Sequence, residues 1–220
     1  LNGSNADQLL VVARESGEDI DVDGISIFLV DAASEGLVIN SFTNIDGKKS
    51  SEIVLDNVNV PASSRLGDAG SALPALQKII DRATVSVSAE AVGAMELLLQ
   101  KTVEYSKTRK QFGTSIGTFQ ALQHRMADMF IECQLARSIV VMAAMRLDSA
   151  ESDLEKTKAV SAAKSRVGEA IRKVGQESIQ IHGGIGMTDE LDVGHLFKRV
   201  TALDIMFGNA DYHTERFASL

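Results

Sequence analysis

At 220 residues and 45% hydrophobic content the chain is long enough to bury a sizeable core, and a formal net charge of −8 argues against nucleic acid or a membrane surface as partner. A lone cysteine, Cys133, excludes an intramolecular disulfide and a thiolate metal cluster, and it reads as an ordinary buried thiol. No apolar run is long enough to span a bilayer.

In chain order, residues 1–72 read as strands and turns. Short β-rich runs occur at Leu9–Ala13, Ile25–Val30, Leu37–Asn40 and Ser51–Asp56. Turn residues separate them at Glu18–Asp21, Ser34–Gly36, Asp46-Gly47 and Val60-Pro61. Spacing this short, with no helices between, predicts antiparallel pairing. Gly67–Gly70 reads as a linker.

From Pro74 onward the pattern is helical. Proline suits a first helical turn. The stretch Ala75–Lys107 is rich in strong helix formers, with apolar residues recurring at three and four. Phe119–Leu147 and Leu154–Ile181 repeat the pattern. A shorter helix is predicted from about Asp189 to Lys198, and a last one from about Leu203 to Ala218. Broad apolar faces and short connections favour an antiparallel bundle over residues 73–220. The fold class is therefore α+β, a partial antiparallel β domain followed by an antiparallel helical bundle. The chain opens on Leu1-Asn2-Gly3-Ser4 with no signal-like segment, so it reads as a fragment whose address peptide, if any, lies upstream.

Two segments interrupt the helices with chemistry. Arg109-Lys110-Gln111-Phe112-Gly113 leads into Ile116–His124, a stretch that includes Phe119-Gln120. Arg109 near a helix end suits the negative pole of the dipole. With its neighbours it also suits a pyrophosphate fork, Phe112 a face for adenine, and Gly113 a close backbone approach. The second segment is Gln180-Ile181-His182-Gly183-Gly184-Ile185-Gly186-Met187. Its glycine pair reads as a helix stop, and also as backbone N–H groups left clear for a phosphate or adenosine. It lacks the strand–glycine–helix setting of a Rossmann fingerprint, which rejects a nicotinamide reading. The four histidines are scattered without metal-ligand spacing, so no metal site is assigned. The methionines read as core filling and Lys198-Arg199 as a solvated surface.

Together these segments resemble the flavin-binding signatures of the acyl-CoA dehydrogenase family, and the resemblance extends over the chain. Ala6-Asp7, Val11–Arg14, Gly24–Phe28, Glu35–Leu37, Asp46–Ser51 and Val58–Pro61 resemble the family's middle β domain, and the helical part resembles its C-terminal domain, which implies an antiparallel four-helix bundle. The resemblance implies an FAD enzyme that oxidises acyl-CoA thioesters to trans-2-enoyl-CoA and passes electrons to an electron-transfer-flavoprotein type of acceptor. It implies a homodimer, a homotetramer or a heteromer, with FAD across a subunit interface. The family's N-terminal helical domain and the first strands of its β domain have no counterpart here. Carried over by position, Arg109, Gln111 and Phe112, with Gln120, match contacts to FAD of one subunit. Gln180, Gly183 and Gly184 match positions that hold the adenosine-pyrophosphate portion, usually from the neighbouring subunit. A bacterial cytoplasm or organelle matrix fits the acidic composition.

The implied mechanism needs a carboxylate to remove the α-proton. Most members place a glutamate just before a glycine near the chain end. Aligned on Gly208, that position holds Phe207. A minority use a position that falls near Ala83. Three readings stay open: Asp204 and Asp211, which share a face with Phe207 on a continuous helix, supply the base; a partner chain supplies it to a weakly catalytic subunit; or the chain performs a related flavin reaction or only binds acyl-CoA. A cofactor-free helical scaffold is the reading from another class.

Overall fold

A computed structural model describes residues 2–149 and 152–220. Two compact units divide the chain, residues 1–79 and 80–220.

The first unit is built on antiparallel pairs. Strands β1 (Gln8–Arg14) and β2 (Ile25–Asp31) pair from Gln8↔Asp31 to Arg14↔Ile25, and β3 (Leu37–Thr43) pairs with β4 (Lys49–Leu55) from Leu37↔Leu55 to Thr43↔Lys49. Accessibility alternates along β1, as a strand with one covered face requires. The segment read as a linker is tied into the sheet. A short strand β5 (Arg65–Leu66) pairs with β2, Gly24 N–H donates to Gly70 O at 2.8 Å, and Ala72 N–H donates to Ile25 O at 2.9 Å. Two residues are too short a run for periodicity to reveal.

The helices are α1 (Leu73–Thr108), α2 (Gln120–Leu147), α3 (Asp153–His182), α4 (Asp192–Ile205) and α5 (Ala210–Ser219). A short hairpin, β6 (Lys110–Gln111) with β7 (Thr114–Ser115), joins α1 to α2. Ser152 caps α3, its side-chain oxygen accepting from Glu155 N–H, and Asp153 and Glu155 favour the positive pole of the dipole. Helix α3 is the centre of the second unit. Val160, Val167 and Val174, at heptad spacing, are fully buried, as are Met95 and Leu98 of α1 and Met129 and Cys133 of α2. Burial pushes the Cys133 thiol up to about 12, with Glu96 and Glu132 adding to the shift, so this cysteine is inert packing.

Small residues on α3 let the last two helices approach closely. A Cβ on Gly175 would stand 2.9 Å from the Phe197 ring of α4, and one on Gly168 would stand 2.8 Å from Cβ of Ala210 in α5 and closer still to the Asp204 carboxylate. Charged pairs link the helices at the rim: Glu96–Arg137 between α1 and α2, Glu90–Arg199 between α1 and α4, and Arg166 and Lys173 with Glu132 between α3 and α2.

One helix boundary differs from the sequence expectation. The last helix does not run from Leu203 to Ala218. Helix α4 continues through Leu203 to Ile205, the chain turns, and α5 starts afresh at Ala210. Phe207 at φ 58° and Gly208 at φ 96° make the break, and Asn209 caps α5 by accepting from Tyr212 N–H at 3.0 Å. The signal was present as Gly-Asn before an acidic first turn. Apolar periodicity on both sides had outweighed it.

Candidate functional site: a cleft between the ends of α1 and α3

At the C-terminal end of α1 the chain reverses in two residues. Lys110 pairs with Ser115 and Gln111 with Thr114, which leaves Phe112 and Gly113 as the turn, at φ 54° and 84°. Two successive positive φ angles give the primed turn that matches strand twist, and such turns ordinarily favour Asn-Gly or Gly-Gly. A phenylalanine in the first position is unfavourable, and its ring is 93% exposed. Its aromatic neighbour is Phe119, edge to face with centroids 6.2 Å apart. Core packing therefore explains neither its conformation nor its identity, and that combination marks a residue held for contact with something else.

The end of α3 lies beside this hairpin. Gly183, at φ 66°, caps the helix, its N–H pointing back to the carbonyls of Ile179 and Gln180, and a 3-10 turn spans Gly183–Met187. A Cβ added at Gly183 or at Gly184 would meet no atom within 4 Å, so both backbones open onto free space. His182, which the sequence reading set aside, joins the two ends. Its ring stacks on Tyr105 of α1 at a centroid distance of 4.4 Å, Tyr105 Oη–H donates to His182 O at 3.4 Å, and Nδ1 lies 2.7 Å from Ser178 O. That carbonyl can only accept, so Nδ1 carries the proton.

Between these elements is a cleft of about 600 Å³. Arg109, Gln111, Phe112, Gln180, Gly183 and Gly184, all expected at a cofactor site, line it together. The two segments thus meet on one chain. Gln120 starts α2 beside the lining residue Phe119 but is not itself part of the wall. Tyr105, Phe119, His182 and Arg125 also line it and escaped the sequence reading. Arg125 is neutralised by an ion pair with Glu177, whereas Arg109 has no acidic partner among the described residues. The cleft combines one uncompensated guanidinium, two aromatic rings and an open glycine pair. That set suits an anionic, aromatic dinucleotide.

The acids expected near the chain end are arranged differently. The helix break removes the shared face that was to carry Asp204, Phe207 and Asp211 together. Asp204 is in the last turn of α4, packed over Gly168, with one carboxylate oxygen buried and unpartnered. Asp211 is in the first turn of α5, its side chain 83% exposed and 4.0 Å from Arg172. Phe207 projects from the connection, 41% exposed. In the segment near Ala83 the carboxylate is Asp81, which is buried and paired with Arg216.

The C-terminal domain profile of acyl-CoA dehydrogenases matches residues 73–219. The chain belongs to the acyl-CoA dehydrogenase family. It is 33% identical over 217 residues to the probable acyl-CoA dehydrogenase YngJ of Bacillus subtilis (strain 168), covering 96% of this chain and 55% of that one. Among solved structures it superimposes on PigA with FAD and proline with a TM-score of 0.90 at 28% identity, covering 99% of this chain and 57% of PigA. It also superimposes on a chain of the ChsE4–ChsE5 complex from Mycobacterium tuberculosis, with a TM-score of 0.86 at 27% identity and coverage of 99% and 56%. The chain thus spans about half the length of the relatives it matches. No helix among the described residues is long and apolar enough to cross a membrane.

A buried lysine lies behind the α4–α5 connection of this family member. Lys164 is 1% exposed, and its Nζ donates to Leu203 O at 2.6 Å and to Asp204 O at 2.7 Å. Burial lowers its pKa from 10.5 to about 8, against an opposing pull from Asp204. Below pH 8 the folded and unfolded states both hold the proton, so the burial penalty is constant. Between pH 8 and 10.5 only the unfolded state holds it, and stability from this group rises with pH. Relative to Lys164→Met, the wild type is expected to gain about 3 kcal/mol between pH 7 and 10.5. Denaturant midpoints of both proteins at pH 7.5 and 9.5 test this, and a difference that stays constant contradicts it. The Cys133 thiol acts in the opposite sense above pH 9, but it is common to both proteins and cancels.

Proposed function

We propose that this chain is the flavin-holding half of an FAD-dependent acyl-CoA dehydrogenase that converts an acyl-CoA thioester to the trans-2-enoyl-CoA. The observation that carries the reading is the cleft itself: Arg109, Gln111 and Phe112 from the hairpin face Gln180, Gly183 and Gly184 from the end of α3 across one wall-to-wall space. The residues fit the cofactor. Arg109 would hold the pyrophosphate, with its charge unclaimed by any described acid. Phe112 and Phe119 would pack the adenine, Gln111 and Gln180 would donate or accept at its polar edges, and Gly183-Gly184 would let backbone approach. Gln120, one residue past Phe119, would reach the same cofactor from the start of α2. FAD, when bound, supplies the acceptor for the hydrogen removed from the β-carbon.

The proton from the α-carbon needs a base. Within this chain it falls to Asp204, whose buried oxygen has no partner, or to Asp211, which is free to move but solvated. The second reading, a subunit whose base comes from a partner chain, is favoured by Phe207 on the connection and by the likeness to a chain of the ChsE4–ChsE5 complex. Acyl-CoA as substrate, an electron-transfer-flavoprotein type of acceptor, and a soluble compartment complete the proposal. Assembly as a dimer or tetramer is supported by α2, whose outer face exposes Phe130, Ile131, Leu135, Val141 and Met145.

The test is a visible spectrum of the full-length protein, recorded before and after anaerobic addition of an acyl-CoA panel. Flavin bands that bleach with one substrate support dehydrogenation by this chain. Bands that persist until a second subunit is added favour the partner-supplied base. A protein that retains no flavin after loading and desalting overturns the proposal.

A further inference from the structure

The 206–209 connection is held from behind by side chains of two other helices as well as by its own Met206 and Asn209. Met206 packs against the core, while its neighbours Ile205, 70% exposed, and Phe207, 41% exposed, face solvent. Three carbonyls around it are nevertheless captured by buried side chains of two other helices. Lys164 of α3 takes those of Leu203 and Asp204, and His213 of α5, 1% exposed, places Nε2 2.9 Å from Phe207 O. The last carbonyls of a helix have no intrahelical partners, and water or a glycine cap commonly serves them. Here a desolvated ammonium does so, at the expense of burying a charge. Phe207 adds a left-handed backbone, unfavourable for any residue with a Cβ. The Tyr212 ring closes over Gly208 and meets the His213 ring edge on at 5.0 Å.

We propose that Lys164 and His213 are positioning residues that lock the 206–209 connection and so fix the direction in which Phe207 projects, at the position the family resemblance gives to the catalytic base. The kinetic part of this proposal rests on the dehydrogenase reading above. His213 Nε2 faces a carbonyl and so bears the proton, which leaves Nδ1 toward Ser161 Oγ at 3.5 Å. Burial, together with the nearby Arg216 and Lys164, keeps the imidazole below its ordinary pKa despite the Phe207 carbonyl and Asp81, so it is a neutral donor at pH 7. Asp204 on α4 is the charge that favours protonated Lys164. A strained residue presented outward on a backbone clamped from behind is the arrangement expected where a side chain must meet a ligand in one orientation.

His213→Leu removes the donor to Phe207, and His213→Gln retains an amide donor. In the full-length protein, His213→Leu is expected to speed amide hydrogen exchange in peptides covering residues 205–210 at least about tenfold while α2 and α3 keep their protection. It should lower kcat/KM for the acyl-CoA that bleaches the flavin by about tenfold at unchanged FAD content, since the cofactor cleft is built from other residues. His213→Gln should restore both. Unchanged exchange at 205–210, loosening that spreads over α2 and α3, or wild-type kinetics on a loosened connection would each overturn the proposal. If His213→Leu does not fold, Lys164→Met carries the same readouts from the other side of the clamp. A full-length protein with no turnover, alone or with a second subunit, removes the dehydrogenase reading instead, and the exchange result, which needs no flavin, then decides the clamp.

Discussion

Replacing Arg109 by alanine is expected to weaken FAD binding roughly 30- to 150-fold. The figure follows from the charge-assisted hydrogen bonds that a guanidinium makes to a pyrophosphate, about 2–3 kcal/mol. Arg109 is exposed at the mouth of the cleft, and no described acid competes for it, so little of that interaction is already spent within the protein. Arg109→Lys keeps the charge and loses the fork, and it should fall between alanine and wild type. Lys107, two residues earlier and paired with Glu104 at 2.6 Å, is the control: Lys107→Ala should leave affinity unchanged. Titration of flavin into the apo full-length protein measures all three. If the Arg109 and Lys107 variants bind alike, the pyrophosphate is not held at this helix end and Arg109 returns to the role of a cation opposing the α1 dipole.

Replacing Arg216 by methionine is expected to destabilise the helical unit by about 3–5 kcal/mol, because it strands a buried carboxylate. Arg216 Nη1 donates to Asp81 Oδ1 at 2.9 Å with side chains only 13% and 6% exposed, and Thr157 Oγ1 donates to the second oxygen at 2.9 Å. The pair ties α5 to α1, and Ser161 Oγ is within 3.4 Å of the same guanidinium nitrogen. The attraction alone does not set the magnitude, since desolvation offsets much of it. The loss comes from leaving one charge behind without its partner. The double variant Asp81→Leu with Arg216→Met should therefore recover most of it. By contrast, Arg82 and Asp148, 4.0 Å apart and 66% and 80% exposed, should contribute less than about 1 kcal/mol, and Arg82→Ala is expected to be nearly silent. Thermal unfolding of the three variants checks the order. A double variant no more stable than Arg216→Met would mean that Asp81 is not the source of the penalty.

Much of this protein is written in local sequence. Alternating runs separated by Asp-Gly and Glu-Gly turns specify the paired strands. Helix-forming residues with apolar spacing of three and four specify α1, α2 and α3 to within a few residues. Both are short-range effects, decided by backbone propensity and by which face can be covered. The two segments that line the cleft were legible for the same reason: glycine at a helix end and an arginine beside Phe-Gly carry their chemistry in a few neighbouring residues. Tertiary structure decided what depends on distant partners. At the break at residues 206–209 Lys164, on a different helix, donates to the last carbonyls of α4, and local periodicity predicted a continuous helix through it. Strand β5 exists only because β2 offers it an edge. His182 is an isolated histidine in the sequence, and it becomes a strut only where Tyr105, on another helix, stacks against it. Lys164 of α3 loses its water only where the end of α4 packs over it. Burial is a property of the assembled unit, so the sequence by itself determined the main strands, the long helices and the family, and only packing determined the short strands, the helix break and which polar groups lost their water.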